Sequence, residues 1–85
     1  MAGSLIVECT SNIPEVIGDH IVTEVRRLGK ERSIAIPKRI NIHGAYGSWI
    51  SLPYRTSAMK ELILEVIKGM QMKLLYPTLD EIGTA

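Results

Sequence analysis

The 85-residue sequence contains no phenylalanine, one cysteine and one tryptophan. Without phenylalanine, its core must be built from Ile, Leu, Val and Met. The single thiol, Cys9, excludes a disulfide within the chain and a cysteine-based zinc site within one chain. It fits a reducing compartment, so a cytoplasmic location is expected. No basic stretch followed by an apolar run opens the chain, so no secretory leader is expected. The longest apolar runs fall far short of the roughly 18 residues a membrane span needs.

Catalytic patterning is also absent. No glycine-rich phosphate-binding motif occurs, because Gly44 and Gly47 are accounted for by a turn. Ser48, Ser51, His43 and Asp19 include the residue types of a nucleophile, a base and an orienting group, but no spacing favours their assembly. His20 and His43 do not form a ligand-spaced pair, and His20 reads as a boundary histidine beside an apolar helix face. The expectation is a non-enzymatic protein with no metal, no cofactor and no small-molecule substrate.

What is present is the composition of a folded domain, with 46% apolar and 22% charged residues. The length allows one core only. Residues 1–77 carry the patterning of a single domain, and 78–85 read as a tail. A chain of this size buries only about 60–65% of its unfolded surface, so the stability margin is thin and a homodimer is expected.

Six elements succeed one another. Leu5 to Cys9 reads as a strand with Leu5, Val7 and Cys9 on one face. Asn12 is then a candidate N-cap, with Pro14 in the first turn and Glu15 at capping-box spacing. The helix shows an apolar stripe at Ile13, Val16, Ile17, Ile21, Val25 and Leu28, and Gly29 reads as its stop. Gly18 within it marks a site of close packing or simple tolerance.

Residues 33–43 alternate strictly, with Ile34, Ile36, Ile40 and Ile42 on one parity, and predict a strand with one buried face. Pro37 places that strand at an edge or a break. Directly opposed residues share a face, so the next strand (Ser48 to Tyr54) should set Ile50 against Ile42 and Leu52 against Ile40. Ala45, Tyr46 and Gly47 then form a three-residue loop with Gly47 in the left-handed region. A second helix begins after Thr56 or Ser57, with a stripe at Met59, Leu62, Ile63, Val66, Ile67 and Met70. Met72, Leu74 and Tyr76 end the pattern as one face of a last strand.

The order β-α-β-β-α-β fits an α+β fold with one antiparallel sheet and two helices on a single face, as in ferredoxin-like folds, the first helix being a right-handed crossover. The alternative is a hairpin-plus-helix unit whose sheet is completed across a dimer.

Charge is uneven. Residues 26–39 hold six basic residues against Glu31 alone, a local charge of +5, while the rest of the chain carries −4 and the total is +1. Part of this run has a bland explanation, since Arg26 and Arg27 complement a helix C-terminus and Lys30 and Arg32 wet a loop. The hairpin register adds weight on the other side. It opposes His43 to Trp49, Asn41 to Ser51 and Arg39 to Pro53 on the face away from the isoleucines. An open sheet face with one tryptophan and nearby arginines suits stacking on unpaired bases, with cations on the phosphates. Tyr46 could extend that face, and Lys38 would lie along the Tyr54 ring.

The stretch VRRLGKERSIAIPKRI, residues 25–40, resembles the "LG…IPK" core of AbrB/MazE-type swapped-hairpin DNA-binding domains, over less than a fifth of the chain. The resemblance implies DNA binding. The chain departs from that family in its helical pattern before Leu28–Gly29 and again in the residues after Ile40, so the family's fold is not the expectation adopted.

The sequence therefore predicts a small nucleic-acid-binding module (DNA or RNA), of regulator type, using Arg26, Arg27, Lys30, Arg32, Arg39, Asn41, His43, Trp49 and Arg55. The rival is an interaction or oligomerisation subunit in which Trp49 and the sheet face meet a second chain.

Overall fold

The computed structural model describes residues 2–10, 13–45 and 47–77. Its elements are β1 (Gly3–Glu8), α1 (Pro14–Glu31), β2 (His43–Ala45), β3 (Trp49–Tyr54), α2 (Ser57–Gly69) and β4 (Leu74–Tyr76). They form a compact α+β unit with a four-stranded antiparallel sheet of order β2-β3-β1-β4. β1 and β2 each run antiparallel to β3, and therefore parallel to one another. All four strands come from one chain, so this is not the alternative sheet completed by a second copy. Among the described residues, no helix is long and apolar enough to cross a membrane.

Alternation in the two central strands sorts the faces. Leu5 pairs with Leu52 and Val7 with Ile50, and all four are at most 2% exposed. Both helices cover this face, adding Ile21 and Val25 from α1 and Met59, Leu62, Ile63 and Ile67 from α2 to the same core. Burying each such side chain is worth about 1.5–3 kcal/mol relative to leaving it in water.

α2 keeps to its sequence pattern. The Thr56 hydroxyl accepts from the Met59 N–H at 3.1 Å and caps the first turn. The stripe Met59, Leu62, Ile63, Val66 and Ile67 is buried.

α1 departs from expectation at both ends. Asn12, the expected cap, lies outside the described residues. Ile13 occupies the N-cap position with no side-chain capping bond, and Pro14 holds the first turn by its fixed φ. Ile13 and Val16 belong to the expected core stripe but are 55% and 56% exposed, so the buried stripe starts only at Ile17. Gly29 does not stop the helix, which runs on to Glu31. Its role is close approach, because a Cβ there would come within 2.7 Å of Ile36 Cγ1 and 3.0 Å of the Ile34 carbonyl oxygen.

The helix is closed by Ser33 instead, at φ 57°. The Ile34 N–H donates to the Gly29 carbonyl at 2.8 Å and the Ser33 N–H to that of Lys30 at 3.5 Å, the pairing of a Schellman motif. α2 closes the same way, with Gln71 at φ 58° and Met72 N–H donating to Ile67 at 3.1 Å.

The expected strand over 33–43 is the largest correction. Only His43–Ala45 joins the ladder, and residues 34–42 form an irregular strap. Ile34, Ile36, Ile40 and Ile42 are half-buried and pack against the core's margin, so alternation here marks burial without a ladder. Pro37 has no N–H to give. The carbonyls of Pro37 and Lys38 are taken by the Arg26 guanidinium, at 2.8 Å each. Gly18 resolves in favour of close packing, since a Cβ there would lie 3.0 Å from Ile42 Cδ1.

The hairpin register is displaced by two residues. Ile50 opposes Gly44 rather than Ile42, Ser51 opposes His43, and Trp49 opposes Ala45. The expected pairs His43–Trp49, Asn41–Ser51 and Arg39–Pro53 are therefore not formed. A shift of two preserves face parity, so every inward and outward assignment on β3 survives. Three residues separate Ala45 from Trp49, and Gly47 has φ 70°, in the left-handed region. Tyr46 lies outside the described residues, as does the expected tail 78–85.

β4 also differs. Val7 opposes Leu74 and Ile6 opposes Tyr76, with an irregularity between them. The extra residue places Leu74 and Tyr76 on opposite faces instead of one. Tyr76 is consequently 57% exposed.

Candidate functional site

β1 and β3 present their other parity away from the helices. Cross-strand neighbours there are Ser4 with Pro53, Ile6 with Ser51, and Glu8 with Trp49. Trp49 is half-buried and points to this outer face, while its neighbour Ile50 is fully buried. His43 is exposed and opposes Ser51.

The nine residues singled out from the sequence do not act as one surface. Arg26 is spent on the strap carbonyls. Arg27 pairs with Glu24 at 2.9 Å and Glu31 at 3.1 Å along α1. Arg32 grips Glu65 of α2 through two hydrogen bonds of 2.5 and 2.7 Å. Hydrogen bonding to Arg27 holds the Glu24 carboxyl below its ordinary range, and Arg32 does the same to Glu65. Both guanidiniums are correspondingly raised, chiefly by these same bonds. Lys30 is exposed in the last turn of α1, on the helix layer rather than on the outer sheet face. Three cations of the +5 segment are thus engaged within the fold, Arg27 and Arg32 by carboxylates and Arg26 by carbonyls that leave its charge in place.

Four of the nine come together. Arg39, Asn41, His43 and Arg55 line one concavity of about 320 Å³ between the strap and β3. Ser4 and Ser51 add hydroxyls to its wall, and no carboxylate lines it. Arg39 and Arg55 have no ion pair among the described residues. The concavity thus gathers guanidinium, amide, imidazole and hydroxyl groups, a set suited to an anion with several acceptor oxygens. Ser51 lies two residues from Trp49 on the same face, about 7 Å along the strand.

Ser4 was not singled out from the sequence; the pairing of β1 with β3, which places it, has no local signal. Ile6 and Tyr76 are further outer-face neighbours that the expected parity of the last strand concealed. Lys38 does not lie over Tyr54; Lys60 does, its Nζ 5.4 Å from the ring centroid. Among the described residues, no group of three or more His, Cys, Asp or Glu side chains could hold a metal ion.

No protein-family model, curated protein or solved structure matches the chain significantly.

Proposed function

We propose that the protein is a non-enzymatic nucleic-acid-binding module, a small cytoplasmic regulator, that seats phosphates between the strap and β3 and stacks a base on Trp49. The observation that carries this reading is the carboxylate-free concavity lined by Arg39, Asn41, His43 and Arg55 beside β3, whose wall includes Ser4 and Ser51 of the sheet face that bears Trp49. Cations take the phosphates, and a sequence-tolerant aromatic takes the base. Glu8 beside Trp49 repels phosphate at that end, which favours a strand laid with its backbone towards Arg39 and Arg55.

Paired substitutions test it. Arg39→Gln with Arg55→Gln should weaken oligonucleotide binding by at least tenfold in fluorescence anisotropy. Arg27→Gln with Arg32→Gln, whose charges are already paired, should change it less than threefold. Equal losses from both pairs would reduce the effect to net charge and overturn the assignment of the site.

A second reading, an interaction or oligomerisation subunit, is favoured by one observation. Ile6, Tyr76 and the neighbouring Leu75 leave apolar surface at the β1–β4 side of the sheet, with Leu75 40% exposed. A homodimer through this side is compatible with nucleic-acid binding at the other. Sedimentation over a range of concentrations distinguishes a monomer from that dimer.

The finer fold assignment, ferredoxin-like with α1 as a right-handed crossover, belongs to the same proposal. The six-element order and the placement of β3 between the parallel strands β1 and β2 support it. Cross-strand amide contacts between β1 and β4 in NMR spectra test it.

A further inference from the structure

A second and larger cleft, of about 670 Å³, opens between α1 and the strap. Its volume falls within the range of small-molecule sites. Its two carboxylates, Glu15 and Asp19, belong to α1, while Lys38 and Arg39 belong to the strap and a third cation, Arg26, reaches from α1 to the strap carbonyls. Between them lies aliphatic surface from the half-buried Val22, Ile40 and Ile42.

Two contacts hold the walls in place without closing them. The Arg26 guanidinium pins the strap at Pro37 and Lys38, and Ile42 sits against Gly18. Among the described residues, Asp19 forms no ion pair with Lys38 or Arg39. Asp19 and the strap cations therefore face one cleft without neutralising each other across it.

The sign pattern limits what can gain by entering. A simple anion meets the helix carboxylates, and a simple cation meets the strap cations. A molecule with a cationic and an anionic group at adjacent positions gains at both walls, and an aliphatic side chain gains at the floor. We propose that this cleft binds a free aliphatic α-amino acid, its ammonium towards Asp19 and its carboxylate towards Arg39, where a planar guanidinium can hold it through two hydrogen bonds.

This cleft shares Arg39 with the concavity beside β3, but its test uses the protein alone, without nucleic acid. A ligand that binds only the folded state raises the melting temperature with increasing concentration. Leucine should do so saturably at millimolar concentration. Isoamylamine and isocaproate, which each keep one charge and the same side chain, should not, either singly or mixed. Asp19→Asn and Arg39→Gln should each remove the leucine response while leaving the circular-dichroism spectrum unchanged. If a variant's spectrum does change, calorimetric titration of the unmodified protein with the same three compounds decides. Isocaproate matching leucine, or no response to any standard amino acid at tens of millimolar, overturns the proposal.

Discussion

The Arg26 guanidinium donates to the carbonyl oxygen of Pro37 at 2.8 Å, eleven residues away in sequence. With the companion bond to Lys38, it converts a residue that looked like part of a basic binding surface into one that fixes the strap. The strap in turn forms a wall of both clefts, since Arg39 and Ile40 line each. Both clefts rest on this side chain, although it lines only the one between α1 and the strap.

Arg26→Ala should therefore destabilise the fold by about 1.5–3 kcal/mol, the range for hydrogen bonds to a charged group. Arg26→Lys should recover less than half, because an ammonium cannot reproduce the fork that reaches two carbonyls. Urea denaturation checks both. Hydrogen exchange should localise the loss to residues 34–42. A neutral Arg26→Ala would mean that the strap is held by its isoleucines alone.

Glycines in the two helices should respond with opposite signs. Alanine is the better helix former by about 1 kcal/mol. Gly69 has open space around its missing Cβ, so Gly69→Ala should stabilise by up to that amount. Gly29→Ala should destabilise by about 1–3 kcal/mol, because the added methyl meets Ile36 and the Ile34 carbonyl. Thermal melts of the two variants give the comparison directly.

Ser33 and Gln71 both close helices at positive φ, a conformation costing an L-residue about 1–2 kcal/mol. Ser33→Gly and Gln71→Gly should each raise stability by about 0.5–1 kcal/mol after the entropy glycine adds to the unfolded chain. The sites share no partners, so urea denaturation of the double variant should show the sum of the two gains.

Much of this architecture is legible in the sequence, and the failures share a cause. The 3.6-residue stripe of α2 and the alternation of β3 are local periods, and both elements form as read. Periodicity reports burial, however, and not hydrogen bonding. Ile34, Ile36, Ile40 and Ile42 alternate and are half-buried, yet no ladder forms because Pro37 lacks a donor and Arg26 takes the carbonyls. Parity cannot distinguish two registers that differ by two residues, so it sets Trp49 on the correct face but against the wrong partner. The irregularity at β4 and the pairing of Arg32 with Glu65 depend on the tertiary structure, and no spacing announces them. The site is accordingly half legible: Arg39, Asn41, His43 and Arg55 converge, while Arg26, Arg27 and Arg32 are engaged elsewhere.

The Arg32–Glu65 pair predicts a pH dependence. The Glu65 carboxyl is held below its ordinary 4.5 in the folded state, first by its hydrogen bond to Arg32. A lowered folded value means that the contribution is present above the unfolded value and is lost as pH falls through the folded one. The stability difference between the unmodified protein and Glu65→Gln should therefore be constant near neutrality. It should shrink below 4.5 and vanish once the folded carboxyl is protonated. Urea midpoints measured across that range test it, and a difference that persists in full at the acid end would contradict the pairing.

The central claim is that Trp49 and the donor-lined concavity form one nucleic-acid surface. Trp49 is the only tryptophan, so its fluorescence reports on that surface without a label. The most direct measurement is a titration with a single-stranded oligonucleotide at about 50 mM salt, repeated at rising salt. The expected result is saturable quenching, an affinity that falls steeply with salt, and loss of the response in the Arg39→Gln, Arg55→Gln double variant. An unchanged Trp49 signal at low salt, with an emission maximum that depends only on protein concentration, would contradict it and assign the face to a second copy of the chain.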